Sequence, residues 1–249
     1  MTDTRRGIFL VTGGSRGIGA ACALRAARDW PVAIFYRERT EEARQVVSAI
    51  EGAGGTAMAV QADVGDEASL MRAFETVDKA GPLAVLVNNA GVTGGVSRVD
   101  AVTADMLQEV YRINVIGAFL AAREAVRRMS TRQGGQGGAI VNMSSGASVL
   151  GSPNNWVHYA ASKGAIDTMT IGLSKEVAAD GIRVNAVRPG LVDTEIQRRR
   201  SAEQLQKMVG AVPMGRMGTA EEIAEAVVWL ASPAAGYVTG CLLDARGGL

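Results

Sequence analysis

The sequence predicts an α/β fold, a single doubly wound parallel sheet of about seven strands with helices on both faces. Three observations predict it. Short, continuously apolar runs alternate along the whole chain with amphipathic stretches, the pattern of strands buried on both faces and joined by crossover helices. Most of these runs are followed within three residues by Gly, Asn, Asp or Pro, the residues of tight turns. A glycine-rich stretch separates the first apolar run from the first amphipathic one, where a strand would turn directly into a helix.

In chain order, strands are expected at 8–11, 32–36, 57–60, 84–87, 139–143, 182–187 and 241–243. Helices are expected near 17–29, 40–52, 66–79, 103–130, 157–180 and 219–231. The strand order expected is 3-2-1-4-5-6-7, that of nucleotide-binding doubly wound sheets. In 103–130 the residues Leu107, Tyr111, Val115, Ala118, Phe119, Ala122 and Val126 form one apolar stripe. Asn114 falls inside that stripe, and a buried amide needs partners. In 157–180, Ile166, Met169, Leu173 and Val177 recur at helical spacing, and Tyr159 and Lys163 stand one turn apart on one face. Gly134, Gly135, Gly137 and Gly138 precede the fifth strand with no helix after them, so they read as a surface turn.

The bulk numbers set bounds. A chain of 249 residues with 47% hydrophobic and 20% charged residues can bury a large core as one domain, 1–249. A net charge of +1 calls for neither nucleic acid nor an anionic membrane surface. Cys22 and Cys241 lack metal-ligand spacing and read as inert thiols of a reducing compartment. The first apolar run ends at Gly13 and Gly14, too early for a signal peptide or a membrane span, so a cytoplasmic protein is expected. The single histidine, His158, excludes a multi-histidine metal site, and no metal is expected. It reads as a polar residue at a helix entrance beside Tyr159.

Four blocks carry chemistry. The first is Thr12-Gly13-Gly14-Ser15-Arg16-Gly17-Ile18-Gly19. Glycines at a strand end allow close approach of a ligand, and the helix N-terminus offers free amides to a pyrophosphate. The second is the end of the second strand. An acidic residue there would accept bonds from a free ribose. This chain has Tyr36 and then Arg37, and Arg16 could approach the same point. Two guanidinium groups suit a 2′-phosphate, hence NADP(H) rather than NAD(H). The third is Asn88-Asn89-Ala90-Gly91, polar amides followed by small residues where a flat ring could pack on backbone. The fourth is Ser145, Tyr159 and Lys163. A phenol ordinarily ionises near pH ~10, and a neighbouring ammonium would bring it down toward the working range.

In this order and spacing the four blocks resemble the short-chain dehydrogenase/reductase family, a Rossmann-fold group, over essentially the whole chain. The resemblance implies that Ser145, Tyr159 and Lys163 are the catalytic set. It implies that Asn114 joins them by holding a water that relays protons to Lys163. It sets Asp63 and Val64 beside the adenine, and Asn88, Ala90 and Gly91 under the adenosine ribose and sheet edge. Pro189, Gly190, Val192 and Thr194 would lie by the nicotinamide, with Val192 offering its backbone to the carboxamide. Where the family often has Asp-Gly-Gly near the C-terminus, this chain has Arg246-Gly247-Gly248.

The expected activity is hydride transfer between NADP(H) and the carbonyl or alcohol carbon of a small substrate, with Tyr159 as general acid or base. A substrate loop is expected near 193–217. Within it Arg198, Arg199 and Arg200 read either as a contact for an anionic substrate or acidic carrier, or as a solvated helical face. Sugars, 3-oxoacyl thioesters and other ketones all remain open as substrates. By analogy the helices near 103–130 and 157–180 would join subunits in a homotetramer, with a dimer as the alternative. A silent nucleotide sensor and a cofactor-retaining isomerase or dehydratase are the competing classes.

Overall fold

The computed structural model describes residues 7–195 and 201–249. One seven-stranded sheet runs in the order β3-β2-β1-β4-β5-β6-β7. The strands are β1 (Ile8–Thr12), β2 (Val32–Tyr36), β3 (Ala57–Gln61), β4 (Leu83–Asn88), β5 (Gly138–Met143), β6 (Ile182–Pro189) and β7 (Leu242–Ala245). Every neighbouring pair is parallel. The expected order is the one found. It places the reversal between β1 and β4, so a crevice opens at the carboxyl ends of those two strands.

The apolar runs are continuous because each strand feeds two cores. Phe9, Val11, Ile34, Val85, Val87 and Val141 face one side, under α1 (Gly17–Ala26), α2 (Thr40–Gly52) and α9 (Ala220–Ala231). Their neighbours Leu10, Phe35, Leu86 and Ile140 face the other, under α3 (Glu67–Asp78), α5 (Ala118–Met129) and α7 (Val157–Val177). Alternation along a pleated strand sends successive side chains to opposite faces, so neither face can be polar.

The expected helix over 103–130 is not one α-helix. It comprises α4 (Ala104–Tyr111), a π-helical segment Arg112–Gly117, and α5. A π turn takes more residues than an α turn and re-phases the helix beyond it. The apolar stripe read from the sequence is therefore split. Val110, Ile113, Asn114, Gly117, Ala118, Ala121, Ala122 and Ala125 turn inward, while Leu107, Tyr111 and Phe119 are outward, Phe119 being 52% exposed. Two short helices were not expected: α6 (Ala147–Leu150) and α8 (Ala202–Gly210), the latter inside the expected substrate loop. Neither buries a side chain, so neither carries an apolar periodicity. The start of α8 is nonetheless written in the sequence, as the reciprocal capping bonds of Ser201 and Gln204. The Arg198–Arg200 run lies outside the described residues. No helix among the described residues is long and apolar enough to cross a membrane.

Candidate active site

The glycine block is fixed from below by side chains of β1 and of the turn after β4. The Thr12 hydroxyl accepts from the backbone N–H groups of Asn89 and Ala90, both at 3.0 Å. In return the Asn89 amide donates to the carbonyls of Thr12 and Gly13, at 2.9 and 3.0 Å. Asn89 thus spends its donors on the shape of the loop rather than on a ligand. Gly13 has φ +65°, the left-handed region. A Cβ on Gly19 would stand 2.3 Å from the Gly13 carbonyl and 2.5 Å from the Asn89 amide nitrogen. The loop therefore closes to this radius only with glycine at that point. Arg16 is extended at the start of α1 and makes no side-chain cap, and the first turn carries no acidic residue. Ser15, Gly17 and Ile18 follow the open edge of this turn.

The two guanidinium groups expected to meet a 2′-phosphate already have carboxylate partners. Arg37, just past β2, pairs with Glu38 at 2.9 Å and Glu109 at 3.4 Å. Arg16 pairs with Glu195. Both arginines are about half exposed, and pairs of that kind are worth at most ~1 kcal/mol. Asp63 lies after β3. One carboxylate oxygen accepts from the Gly65 N–H at 2.9 Å and the other from Arg112 at 3.0 Å. Val64 beside it is buried.

The other half of the crevice is built around buried polar groups. Asn88 donates to the Ala118 carbonyl and to Asn142, which donates to Thr170, which donates to the Ile166 carbonyl. This chain of bonds ties β4 and β5 to α5 and α7. Asn114 sits in the π segment. Its amide donates to the Val92 carbonyl at 2.9 Å and to the Ser162 hydroxyl at 3.0 Å, and its oxygen accepts from the Val92 N–H at 2.8 Å. Both amide hydrogens are committed, which explains a buried amide in an apolar helix. Gly91 lies against Asn114 and Lys163, because a Cβ there would be 3.2 Å from the Asn114 oxygen and 3.5 Å from Lys163 Nζ.

Ser144 and Ser145 point to different places. The buried Ser144 hydroxyl donates into α7, to the Lys163 carbonyl at 3.3 Å. The Ser145 hydroxyl is half-buried, accepts from the Ala147 N–H at 3.1 Å and lies beside Tyr159. The structure corrects the sequence expectation for the phenol. Burial raises the Tyr159 pKa above its usual value, and the counteracting influence is the Ser145 hydroxyl rather than Lys163. The Lys163 ammonium stands 5.6 Å from the centre of the Tyr159 ring and donates to the Met143 carbonyl at 2.7 Å. Burial pulls the amine itself down to about 8, against the field of Asp167, which raises it. Met143 and Asp167 were missed in the sequence. The position of Asp167, four residues after Lys163, was the available signal for it. His158 bonds the Thr93 carbonyl at 2.9 Å at the helix entrance. Cys22 is buried and its thiol is pushed up to about 12 by that burial.

The end of β6 forms the far wall. Pro189 offers its carbonyl to the Gly146 N–H, and the Gly190 N–H donates to the Ala245 carbonyl. Leu191 and Asp193 pair with Gly218, which leaves Val192's own N–H and C=O outside that pairing. The Thr194 methyl lies over Gly17, so this segment arches across the glycine block. Arg246 pairs with Asp244 at 2.8 Å and packs on Gly146 and Gly190. The carbonyl of Gly247 accepts from the Met214 N–H. The departure from the family pattern, Arg246, thus packs against the turns after β5 and β6, while the retained Gly247 holds the segment after α8.

The chain has well-matched relatives. The family model described as Enoyl-(Acyl carrier protein) reductase matches residues 13–249. The uncharacterized oxidoreductase YgfF of Escherichia coli (strain K12) is 50% identical over 97% of this chain and 99% of its own. The 3beta-hydroxysteroid dehydrogenase 1 of Eggerthella lenta is 38% identical over 99% of this chain and 95% of its own. A short chain dehydrogenase from Burkholderia cenocepacia J2315 in complex with NADP superposes with a TM-score of 0.89 at 35% identity, covering 100% of this chain and 99% of that one. A 3-ketoacyl-(acyl-carrier-protein) reductase from Brucella melitensis complexed with NADH gives 0.90 at 31% identity, with 97% of each chain covered. The fold, the order of the site blocks along it and these relatives agree, and the chain belongs to the short-chain dehydrogenase/reductase family as one of its oxidoreductases.

Proposed function

We propose that this protein transfers a hydride between NADP(H) and the carbonyl or alcohol carbon of a small substrate, a sugar, a 3-oxoacyl thioester or another ketone. One observation carries the reading. A half-buried phenol, a serine hydroxyl and a buried amine converge at the carboxyl edge of the sheet, beside a glycine turn whose radius leaves no room for a Cβ. Relatives complexed with NADP and with NADH support a nicotinamide cofactor.

The residues present fit such a cofactor. The N–H groups at the start of α1, from Gly17 to Gly19, would take the pyrophosphate, with Ser15 and Ile18 at its edge and Gly13 shaping the turn, while the Gly14 N–H is held by the Phe35 carbonyl. Arg37 and Arg16, released from weak exposed pairs, would take the 2′-phosphate. Asp63 and Val64 would flank the adenine, Ala90 and Gly91 the ribose, and Asn89 would hold the loop that carries them. Pro189, Gly190, Val192 and Thr194 would line the nicotinamide end, with the N–H and C=O of Val192, which take no part in the pairing with Gly218, available to a carboxamide. When bound, the nicotinamide supplies or accepts the hydride.

The protein's part is the proton. Tyr159 gives a proton to the substrate oxygen or takes one from it, and Ser145 hydrogen-bonds the same oxygen. We assign Lys163 a second influence on the phenol: its positive charge, 5.6 Å from the ring centre, would add to the Ser145 contact that opposes burial. Asn114 holds the relay to Lys163, through the remaining lone pair of its oxygen or the π segment around it. The whole chain acts as one domain with a substrate loop near 193–217. It works in the cytoplasm as a homotetramer joined through the exposed Leu107, Ile116 and Phe119 and the facing side of α7.

A panel of ketones and aldehydes with NADPH, read by its fluorescence, tests the reading. Tyr159→Phe is expected to lose about 10²–10⁴-fold in kcat while binding NADPH as the native protein does. Equal turnover in both proteins would end the mechanism. NADPH left unconsumed across a panel that is nonetheless converted would favour isomerase or dehydratase chemistry.

A further inference from the structure

We propose that Asp167 is a positioning residue whose buried carboxylate, gripped by Arg188, holds Lys163 in its ammonium form for the reaction at Tyr159. The inference rests on the role proposed above for Lys163.

Lys163 is 4% exposed, and its amine donates to a neutral carbonyl, that of Met143. A buried amine in such a place is driven toward its neutral form. Neutral, it would lend no positive charge to the phenol. Some group must oppose that drift, and the charged groups packed around it are few. On α7 the one charged group is Asp167, beside the neutral phenol of Tyr159, and β6 contributes Arg188. The π segment contributes only the neutral Asn114. Among the described residues Asp167 is therefore the one carboxylate on this face of α7 near the amine.

Its geometry suits the task. Asp167 is one turn beyond Lys163 and 7% exposed. Arg188 grips only one of its oxygens, Oδ2, through Nε at 3.1 Å and a terminal nitrogen at 2.9 Å. The other oxygen, Oδ1, is buried and has no hydrogen-bond partner among the described residues. A carboxylate retained solely to neutralise Arg188 would gain by presenting both oxygens to the fork. Arg188 also approaches Asp244 at 3.8 Å, so part of its charge is answered from β7. The field of Asp167 is thereby left to act on Lys163, whose proton affinity it raises.

The chain has four lysines, Lys79, Lys163, Lys175 and Lys207. The other three are exposed, so isotope labelling of lysine side chains lets the Lys163 amine be titrated by NMR apart from any activity. In Asp167→Asn we expect Lys163 to bind its proton about tenfold more weakly. The lysine-controlled limb of kcat/KM should move to lower pH by the same factor. Asp167→Glu should restore the native titration to within about threefold. Should Asp167→Asn fold poorly, the paired Asp167→Asn/Arg188→Met variant removes both charges together, and Lys163 is expected to bind its proton about tenfold more weakly in it than in Arg188→Met alone. A folded variant in which Lys163 titrates as in the native protein overturns the proposal. A shifted Lys163 together with full turnover of Tyr159→Phe would instead leave the link between Asp167 and Lys163 standing and remove the reaction assigned to Tyr159.

Discussion

The two halves of the crevice are made in different ways. On the β1 side, the glycine block is shaped by neutral hydrogen bonds between backbone and the side chains of Thr12 and Asn89. Its charged groups, Arg16 and Arg37, are exposed and paired with exposed carboxylates. On the β5 and α7 side, Lys163 and Asp167 are buried, and both Tyr159 and Lys163 are displaced from their ordinary proton affinities. Binding of a long, charged ligand asks for a correctly curved backbone with water still at hand. Proton transfer asks for groups taken out of water, where small charges have large effects. Substitutions on the first side should therefore change affinity and fit, and those on the second should change chemistry and pH dependence.

Lys163→Met should break the second half most. About 10²–10⁴-fold of turnover should go with the amine. Stability should move the opposite way. Lowering a lysine from 10.5 to about 8 in the folded protein costs about 3 kcal/mol whenever the amine is charged in both states. Losing the bond to the Met143 carbonyl returns about 1 kcal/mol of that. The variant should thus be about 2 kcal/mol more stable at pH 7. The sign fixes the pH window. Below about 8 both states hold the proton and the native protein carries the full cost. Between about 8 and 10.5 the unfolded chain holds more protons, so native stability rises with pH and the advantage of the variant fades. Denaturant melts at pH 7 and pH 10 check it; equal gains at both would contradict the burial argument.

Gly19→Ala probes the first half. The added methyl would stand 2.3 Å from a carbonyl oxygen, so the loop must open. A cost of about 1–3 kcal/mol is expected, read as a drop of roughly 2–4 °C in melting temperature per kcal/mol. NADPH affinity should fall with it. The pH dependence of whatever turnover remains should match the native profile, since no buried charge is touched. A changed profile would erase the division between the halves.

Arg37→Asp is the mildest. The side chain is 42% exposed and its present pairs are weak. Affinity for NADPH should fall about tenfold, as for loss of one charge-assisted bond, with NADH little changed and the fold intact. An unchanged NADPH-to-NADH ratio would remove the phosphate clamp and leave Arg37 as a surface ion pair.

Much of this architecture is legible in the chain itself. The alternation of apolar runs and helices predicted a parallel sheet, the strand order came with the resemblance to nucleotide-binding folds, and the glycine block, Ser145, Tyr159 and Lys163 were named from their spacing. The stripe through Leu107, Tyr111 and Phe119 was misread, because the π segment shifts the helical phase in a way no local periodicity announces. Asn114 lay inside that stripe, and its partners Val92 and Ser162 are far from it in sequence. The partners of Arg16 and Arg37, Glu195 and Glu109, are equally remote.

The sequence by itself determined the sheet and which residues gather at its carboxyl edge, because hydrophobic periodicity and turn residues are local signals that add along the chain. Tertiary structure alone decided the charge environment of that edge: which carbonyl holds Lys163, which carboxylate faces it, and which amide hydrogens of Asn114 are already spent. Proton affinity depends on burial and on neighbours brought from other elements, and neither exists until the helices are packed on the sheet.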